Sequence, residues 1–204
     1  MRSRVEQVVL VDEQDREIGV EDKLAAHRNG GALHRAFSIF IFNRRGEMLL
    51  QKRAATKYHF RSIWGNSCCG HPRPGEELVS AARRRLREEL GIDTELKKAG
   101  VFTYTAEDPE SGLTEKEIDH VLVGWFDGIP QPHPDEIDEI RWVSLADLEQ
   151  DLARTSDGYA PWLPVALAHV SSLQKLGLLD RLQDETASDT AHDSDSDKGI
   201  RFRG

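Results

Sequence analysis

Between Trp64 and Glu76 the chain reads WGNSCCGHPRPGE. Cys68 and Cys69 stand side by side just before His71, and they are the only cysteines present. Neighbouring cysteines close a strained ring, which argues against a structural disulfide between them. Two free thiols point to a reducing cytoplasm. A thiol suits proton transfer: its pKa of ~8.5 in water falls near positive charge, and general acids and bases work best near the operating pH. In an extended segment neighbours face opposite ways, so only one of the two can look into a pocket.

A second group of residues has the types that hold ions. His27, His34 and His71 come from three separate segments, and Glu115 and Glu117 alternate in TEKEI. On a strand, those two carboxylates leave the same face. Three imidazoles and two carboxylates would form a mixed nitrogen and oxygen site for Mn²⁺, Mg²⁺ or Zn²⁺, roughly octahedral. Spacing alone does not pick this set. His59, His120, His133, His169 and His192 read as ordinary surface or core histidines.

The elements that must position these groups follow from periodicity. EQVVLVDEQDREIG predicts a strand, a polar turn and a return near Gly19, and EDKLAAHR a short helix ending at His27. HRAFSIFIFNRRGEMLLQKR reads as a hairpin around Asn43–Gly46. PGEELVSAARRRLREELG is the clearest helix. Pro74 opens it, Leu78, Ala81, Ala82, Leu86 and Leu90 recur at helical spacing, and Gly91 ends it. VFTYTAED and EIDHVLVGWFDG read as strands around a turn at Pro109–Gly112. EIRWVS reads as a strand, LADLEQDLAR as a helix, and APWLPVALAHVSSLQKLGLL as a last amphipathic helix. Strands, one strong helix, strands, then helices predict an α+β chain with a mixed central sheet in an αβα layering.

On that strong helix, Gly70, Glu76, Arg84, Glu88, Glu89, Gly91 and Ile92 fit most of the Nudix signature, G-x5-E-x7-R-E-U-x-E-E-x-G-U, where U is bulky and aliphatic. Arg85 and Glu89 lie at i and i+4, on one helix face. A carboxylate there can hold Mg²⁺, which binds diphosphate oxygens readily. Arg85 replaces the glutamate that should follow Arg84. Hydrolysis in that family uses clustered glutamates to gather metal and activate water. A guanidinium instead offers a phosphate fork, so the expectation is a Nudix-like αβα sandwich that binds a diphosphate without hydrolysing it.

NSCCGHP, the upstream LHRAFS, EKE after YTAEDPESG, and APW near the end together resemble type 1 isopentenyl diphosphate isomerase over about residues 5 to 175. The motifs occur in the family's order. The resemblance implies a single metal site made of His27, His34, His71, Glu115 and Glu117. It implies a proton relocation from isopentenyl to dimethylallyl diphosphate through a tertiary cation, reversibly, with an acid and a base on opposite faces. Cys69 and Glu117 match that pair: Glu117, with Tyr104 beside it, would deliver the proton, and Cys69 would remove one. Trp162 matches the cation-facing tryptophan, since an indole face can stabilise a desolvated cation by ~2 kcal/mol or more. Lys23, Arg53, Lys57 and Arg85 match diphosphate-binding positions, and Glu89 matches the Mg²⁺ ligand that accompanies the diphosphate. Cys68 would then be a packed apolar side chain. YHFRSIW departs from the W-P-G-x-W pattern of relatives at the phosphate loop.

Composition bounds the rest. The 204 residues suit one domain, taken as 1–180 with N-terminal and C-terminal extensions. Residues 181–204 are Asp- and Ser-rich and are expected to be a disordered acidic tail. The formal charge of −9 argues against nucleic acid or an anionic membrane as partner. The chain has neither an apolar run of about 20 residues nor a secretory N-terminus. A cytoplasmic monomer acting on a small isoprenoid diphosphate is the expectation. The competing readings are a Nudix diphosphate hydrolase and a non-catalytic module that binds isoprenoid diphosphates.

Overall fold

The computed structural model describes residues 6–180 and 182–183. Thirteen elements follow one another: β1 Gln7–Val11, β2 Glu17–Asp22, α1 Lys23–Ala26, β3 His34–Phe42, β4 Glu47–Arg53, β5 Trp64–Gly65, β6 Cys68–Gly70, α2 Leu78–Leu90, β7 Lys97–Glu107, β8 Thr114–Trp125, β9 Ile137–Ser144, α3 Leu145–Arg154 and α4 Leu163–Lys175. The strands form one mixed sheet in which β3 and β8 run parallel and the other pairs antiparallel.

β3 is almost completely buried, and its alternation sorts the two layers. Phe37, Ile39 and Ile41 face the core beneath α2, with Ala81, Ala82, Leu86 and Leu90. Phe40 and Phe42 face the core beneath α3 and α4, with Leu148, Leu163, Ala166 and Val170. Helices therefore cover both faces of the sheet, as expected for an αβα sandwich. Each such large apolar side chain contributes about 1.5–3 kcal/mol on burial.

Two expectations need correction. The turn Asn43–Gly46 is present, but β3 and β4 share a single residue pair, Phe42 with Met48. They do not form a hairpin ladder. β3 instead pairs with β8 over nine residues, and β4 pairs with β9 over seven. Both strands are apolar on two faces, so each gains more as an interior strand than as half of an isolated ribbon. Ser67 stitches the gap: Ile41 N–H donates to its hydroxyl (2.8 Å), which donates to the Leu49 carbonyl (2.7 Å). Second, α2 starts at Leu78 rather than Pro74. Gly75 takes φ +75°, which a helix cannot contain, and Glu77 caps the helix through Ser80 N–H at 2.8 Å. Gly91 ends it at φ +64°, as expected.

The expected acidic tail, 181–204, and His192 lie outside the described residues apart from Leu182 and Gln183. Among the described residues no helix is long and apolar enough to cross a membrane.

Candidate active site

One face of the sheet carries the candidate residues, and strand register puts them there. His34 on β3 stands beside Glu117 on β8, and Tyr104 on β7 stands opposite Glu117. Ser38 on β3 pairs with Cys69 on β6. Side chains change face at each residue, so Glu115, Glu117 and Asp119 leave β8 on the same side. The same alternation separates the two cysteines. Cys68 is fully buried in the core beneath α2, while Cys69 is half-buried, lines the pocket and touches the α4 layer.

The imidazoles converge. Ligand atoms of His27, His34, His71 and Glu117 all lie within 4.8 Å of one another, as do those of His27, His59 and Glu115. All are buried. His34 Nε2 lies 3.2 Å from His71 Nε2 and 3.3 Å from Glu117 Oε1, and His71 Nε2 lies 2.8 Å from the same oxygen. Backbone carbonyls fix the outer nitrogens: His27 Nδ1–H donates to Lys23 O at 2.5 Å and His34 Nδ1–H to Ala32 O at 2.8 Å. Both rings then aim Nε2 lone pairs inward, and His27 Nε2 is a buried atom with no hydrogen-bond partner. Lone pairs packed this closely need a positive charge among them. Neutral imidazoles with fixed outer partners and a carboxylate suit a divalent ion.

Burial would raise the Glu117 carboxyl, but the close contacts with the His34 and His71 imidazoles outweigh it and hold that group well below the usual carboxylate range. Burial opposes the His34 imidazolium, yet Glu117 lifts its pKa. Burial, helped by His34 and Lys23, outweighs Glu117 and drives His71 down to about 4. Asp119, two residues beyond Glu117, goes the other way: burial, then the negative Glu117, push it well above its ordinary value. The Tyr104 hydroxyl sits between Glu115 and Glu117, 2.7 Å from Glu117 Oε2.

The Cys69 thiol is held by a bracket. Asn66 is fully buried, and its amide donates to Ile39 O (3.1 Å) and Cys68 O (3.0 Å). Its oxygen accepts from Cys69 Sγ at 3.2 Å and from Trp162 Nε1 at 3.1 Å. Ser38 Oγ lies 3.5 Å from the sulfur and donates to Asp119 Oδ2 at 2.7 Å. Burial pushes the Cys69 thiol up. Trp162 caps α4 and meets Phe60 edge to face, with ring centroids 5.4 Å apart.

The outer part of the same pocket is charged. Lys57 and Arg85 both pair with Glu136, and Arg85 also pairs with the buried Glu89. Burial would raise the Glu136 carboxyl, but Lys57 and Arg85 outweigh it and hold it at about 2. Lys23 pairs with Glu6 at 3.0 Å. Arg53 donates to the carbonyls of Phe60 (2.9 Å) and His59 (3.2 Å), and its guanidinium sits 5.8 Å from the Trp162 ring centre. Arg84, from the helix signature, is bidentate to Glu76 at 2.8 and 2.9 Å.

Lys23, Arg53, Lys57, Cys69, His71, Arg85, Glu89, Tyr104, Glu115, Glu117 and Trp162, named from sequence, thus line one pocket with His59, Ser38, Asp119 and Glu136, which sequence reasoning passed over; His27 and His34 stand behind it in the histidine cluster, and Asn66 behind Cys69 and Trp162. His59, expected as an ordinary surface or core histidine, is 4% exposed and stands 2.6 Å from Glu115. His120, by contrast, pairs with Asp15 at 2.9 Å, away from the pocket-lining residues.

A layered sandwich whose signature helix flanks a His/Glu centre defines the class. A NUDIX domain family model matches residues 32–164. Isopentenyl-diphosphate Delta-isomerase 1 of Aromatoleum aromaticum is 53% identical over 165 residues, covering 81% of this chain and 92% of that protein. The isopentenyl-diphosphate Delta-isomerase of Halorhodospira halophila is 48% identical, over 78% of this chain and 91% of its own length. Among solved structures, DR0079 from Deinococcus radiodurans superposes with a TM-score of 0.64 at 21% identity, over 79% of this chain and 97% of that one, a likeness of fold. The chain belongs to the NUDIX family and, within it, to the isopentenyl-diphosphate Delta-isomerases.

Proposed function

We propose that this enzyme interconverts isopentenyl and dimethylallyl diphosphate, with Cys69 and Glu117 as the acid–base pair. The observation that carries the reading is that Cys69, Glu117, Tyr104 and Trp162 line one pocket whose outer part holds Lys57, Arg85 and Glu89. The outer groups would take the diphosphate, with Mg²⁺ on Glu89. A second divalent ion, Mn²⁺, Mg²⁺ or Zn²⁺, would be held by His27, His34, His71, Glu115 and Glu117. When bound, these ions supply positive charge that steadies the diphosphate oxygens and the carboxylates.

The reaction moves protons without net change. Toward dimethylallyl diphosphate, Glu117 with Tyr104 gives a proton to the terminal alkene carbon, and Cys69 takes one from the carbon next to the cation on the diphosphate side. The proton inventory ends on sulfur, and the return direction runs from there. A protonated Cys69 facing an ionised Glu117 is the form armed for that return. Trp162 faces the cation and, with Phe60, keeps water away. All these side chains come from one chain, which supports a monomer, and a free thiol suits a reducing cytoplasm.

Incubation with isopentenyl diphosphate and Mg²⁺ in heavy water, followed by NMR, tests the reading. Deuterated dimethylallyl diphosphate is expected. Tight binding with no deuterium uptake would leave a non-catalytic binder, and phosphate release would favour the hydrolase reading. Against hydrolysis stands Arg85, whose guanidinium occupies a signature carboxylate position and is engaged by Glu89 and Glu136.

A further inference from the structure

The loop between β4 and β5 carries His59 to the ion centre, and many contacts fix its ring. It stacks on Tyr58 (centroids 4.4 Å apart) and meets Phe60 edge-on at 5.6 Å. Arg53 grips the His59 and Phe60 carbonyls, and Asp108 accepts the Phe60 N–H at 3.2 Å. Phe60 and Ser62 adopt φ +46° and +59°, a conformation that costs non-glycine residues energy and persists where surroundings impose it. The result of this construction is one contact: His59 Nε2 lies 2.6 Å from Glu115 Oε1, while the Tyr104 hydroxyl occupies Glu115 Oε2. The His59 and His27 rings are 5.3 Å apart.

We infer that His59 is a positioning residue of the ion centre, whose Nε2–H pins Glu115 so that this carboxylate stands ready beside His27 for a divalent ion. The inference rests on the reading of the histidine cluster as an ion site. A carboxylate free to rotate must be ordered each time an ion binds; one held by an imidazole on one oxygen and a phenol on the other is already ordered. Removing such an outer partner typically weakens metal affinity by about 10–100-fold. In sequence His59 lies in the YHFRSIW segment, far from the other histidines and glutamates of the cluster except through the fold.

The test is Zn²⁺ affinity of the metal-free full-length protein, measured by chelator competition, for wild type, His59→Phe and His59→Gln. Phe removes the donor and should weaken Zn²⁺ binding 10–100-fold. Gln keeps an N–H donor and should restore most of the affinity. The absorption spectrum of the Co²⁺-loaded protein should be the same in all three, because no ligand is lost. Should the Phe variant not fold, judged by circular dichroism, His59→Asn, with its shorter reach, replaces it as the losing variant. Wild-type affinity in the losing variant overturns the inference, since Glu115 then needs no holder. A Co²⁺ spectrum altered by Gln and Phe alike also overturns it, by making His59 a ligand in its own right. A wild type that binds no Zn²⁺ overturns the ion-centre reading itself, and the positioning role with it.

Discussion

The two ends of the pocket are built differently. At the inner end, Cys69, Tyr104 and Glu117 stand on paired strands, and each is held by neighbours that are themselves buried. At the outer end, Lys57 and Arg85 are held by Glu136 and Glu89, carboxylates that a diphosphate taken there, as proposed, would have to compete with or recruit. The inner end is pre-organised, as the proposed proton transfer would demand, because a misplaced donor loses rate. The outer end has its charges compensated in advance, which avoids burying bare cations but requires partners to exchange.

Substitutions that respect this division should separate turnover from binding. Cys69→Ala and Glu117→Gln should lower the isomerisation rate by about 10³-fold or more, in line with the weight of a general acid or base, while leaving diphosphate binding largely intact. Near-normal turnover in Cys69→Ala, read by NMR, would remove the inner end from the chemistry. Trp162→Leu should cost about 30-fold in kcat, the loss of a cation–π interaction of ~2 kcal/mol, with KM little changed. A KM effect instead would make the indole a binding group and blur the boundary. Arg85→Gln should raise KM about tenfold by losing a charge-assisted contact, with kcat less affected.

The smallest effect concerns Glu136 and acid. Its carboxyl titrates at about 2 in the fold against 4.5 ordinarily. Its ionised pairing therefore adds stability that is complete above about pH 4.5 and disappears as pH falls through about 2. The stability difference between wild type and Glu136→Gln, measured by urea midpoints, should shrink across that window and stay flat above it. A difference that grows toward low pH would show that Lys57 and Arg85 do not depend on Glu136.

Local pattern made much of this visible in the sequence. The spacing of Leu78, Ala82, Leu86 and Leu90 marks α2, and the alternation of Glu115 and Glu117 puts both carboxylates on one face. What local pattern leaves out is pairing between distant segments. Nothing in HRAFSIFIF says that β3 prefers β8, eighty residues on, to its neighbour β4, because a strand apolar on both faces matches any similar strand. Asn66 and Glu136 were equally silent. Each is an ordinary polar residue whose role exists only once Trp162, Lys57 and Arg85 arrive from elsewhere. The five histidines read as ordinary show the limit: His59 and His120 look alike in sequence, and only the route of the chain sends one to Glu115 and the other to Asp15.

The parallel register of β3 against β8, which sets His34 next to Glu117, makes the catalyst sensitive to counting as well as to composition. Apolar residues along either strand can be exchanged for others of similar volume with modest loss. Deleting one residue within β8 would instead rotate every later side chain to the opposite layer. Shortening the strand just before Glu117 would send that carboxylate to the exposed side that Lys116 now occupies and turn Ile118 toward the imidazoles. The apolar letters of the ladder can therefore change with modest loss, while its length holds His34 and Glu117 together.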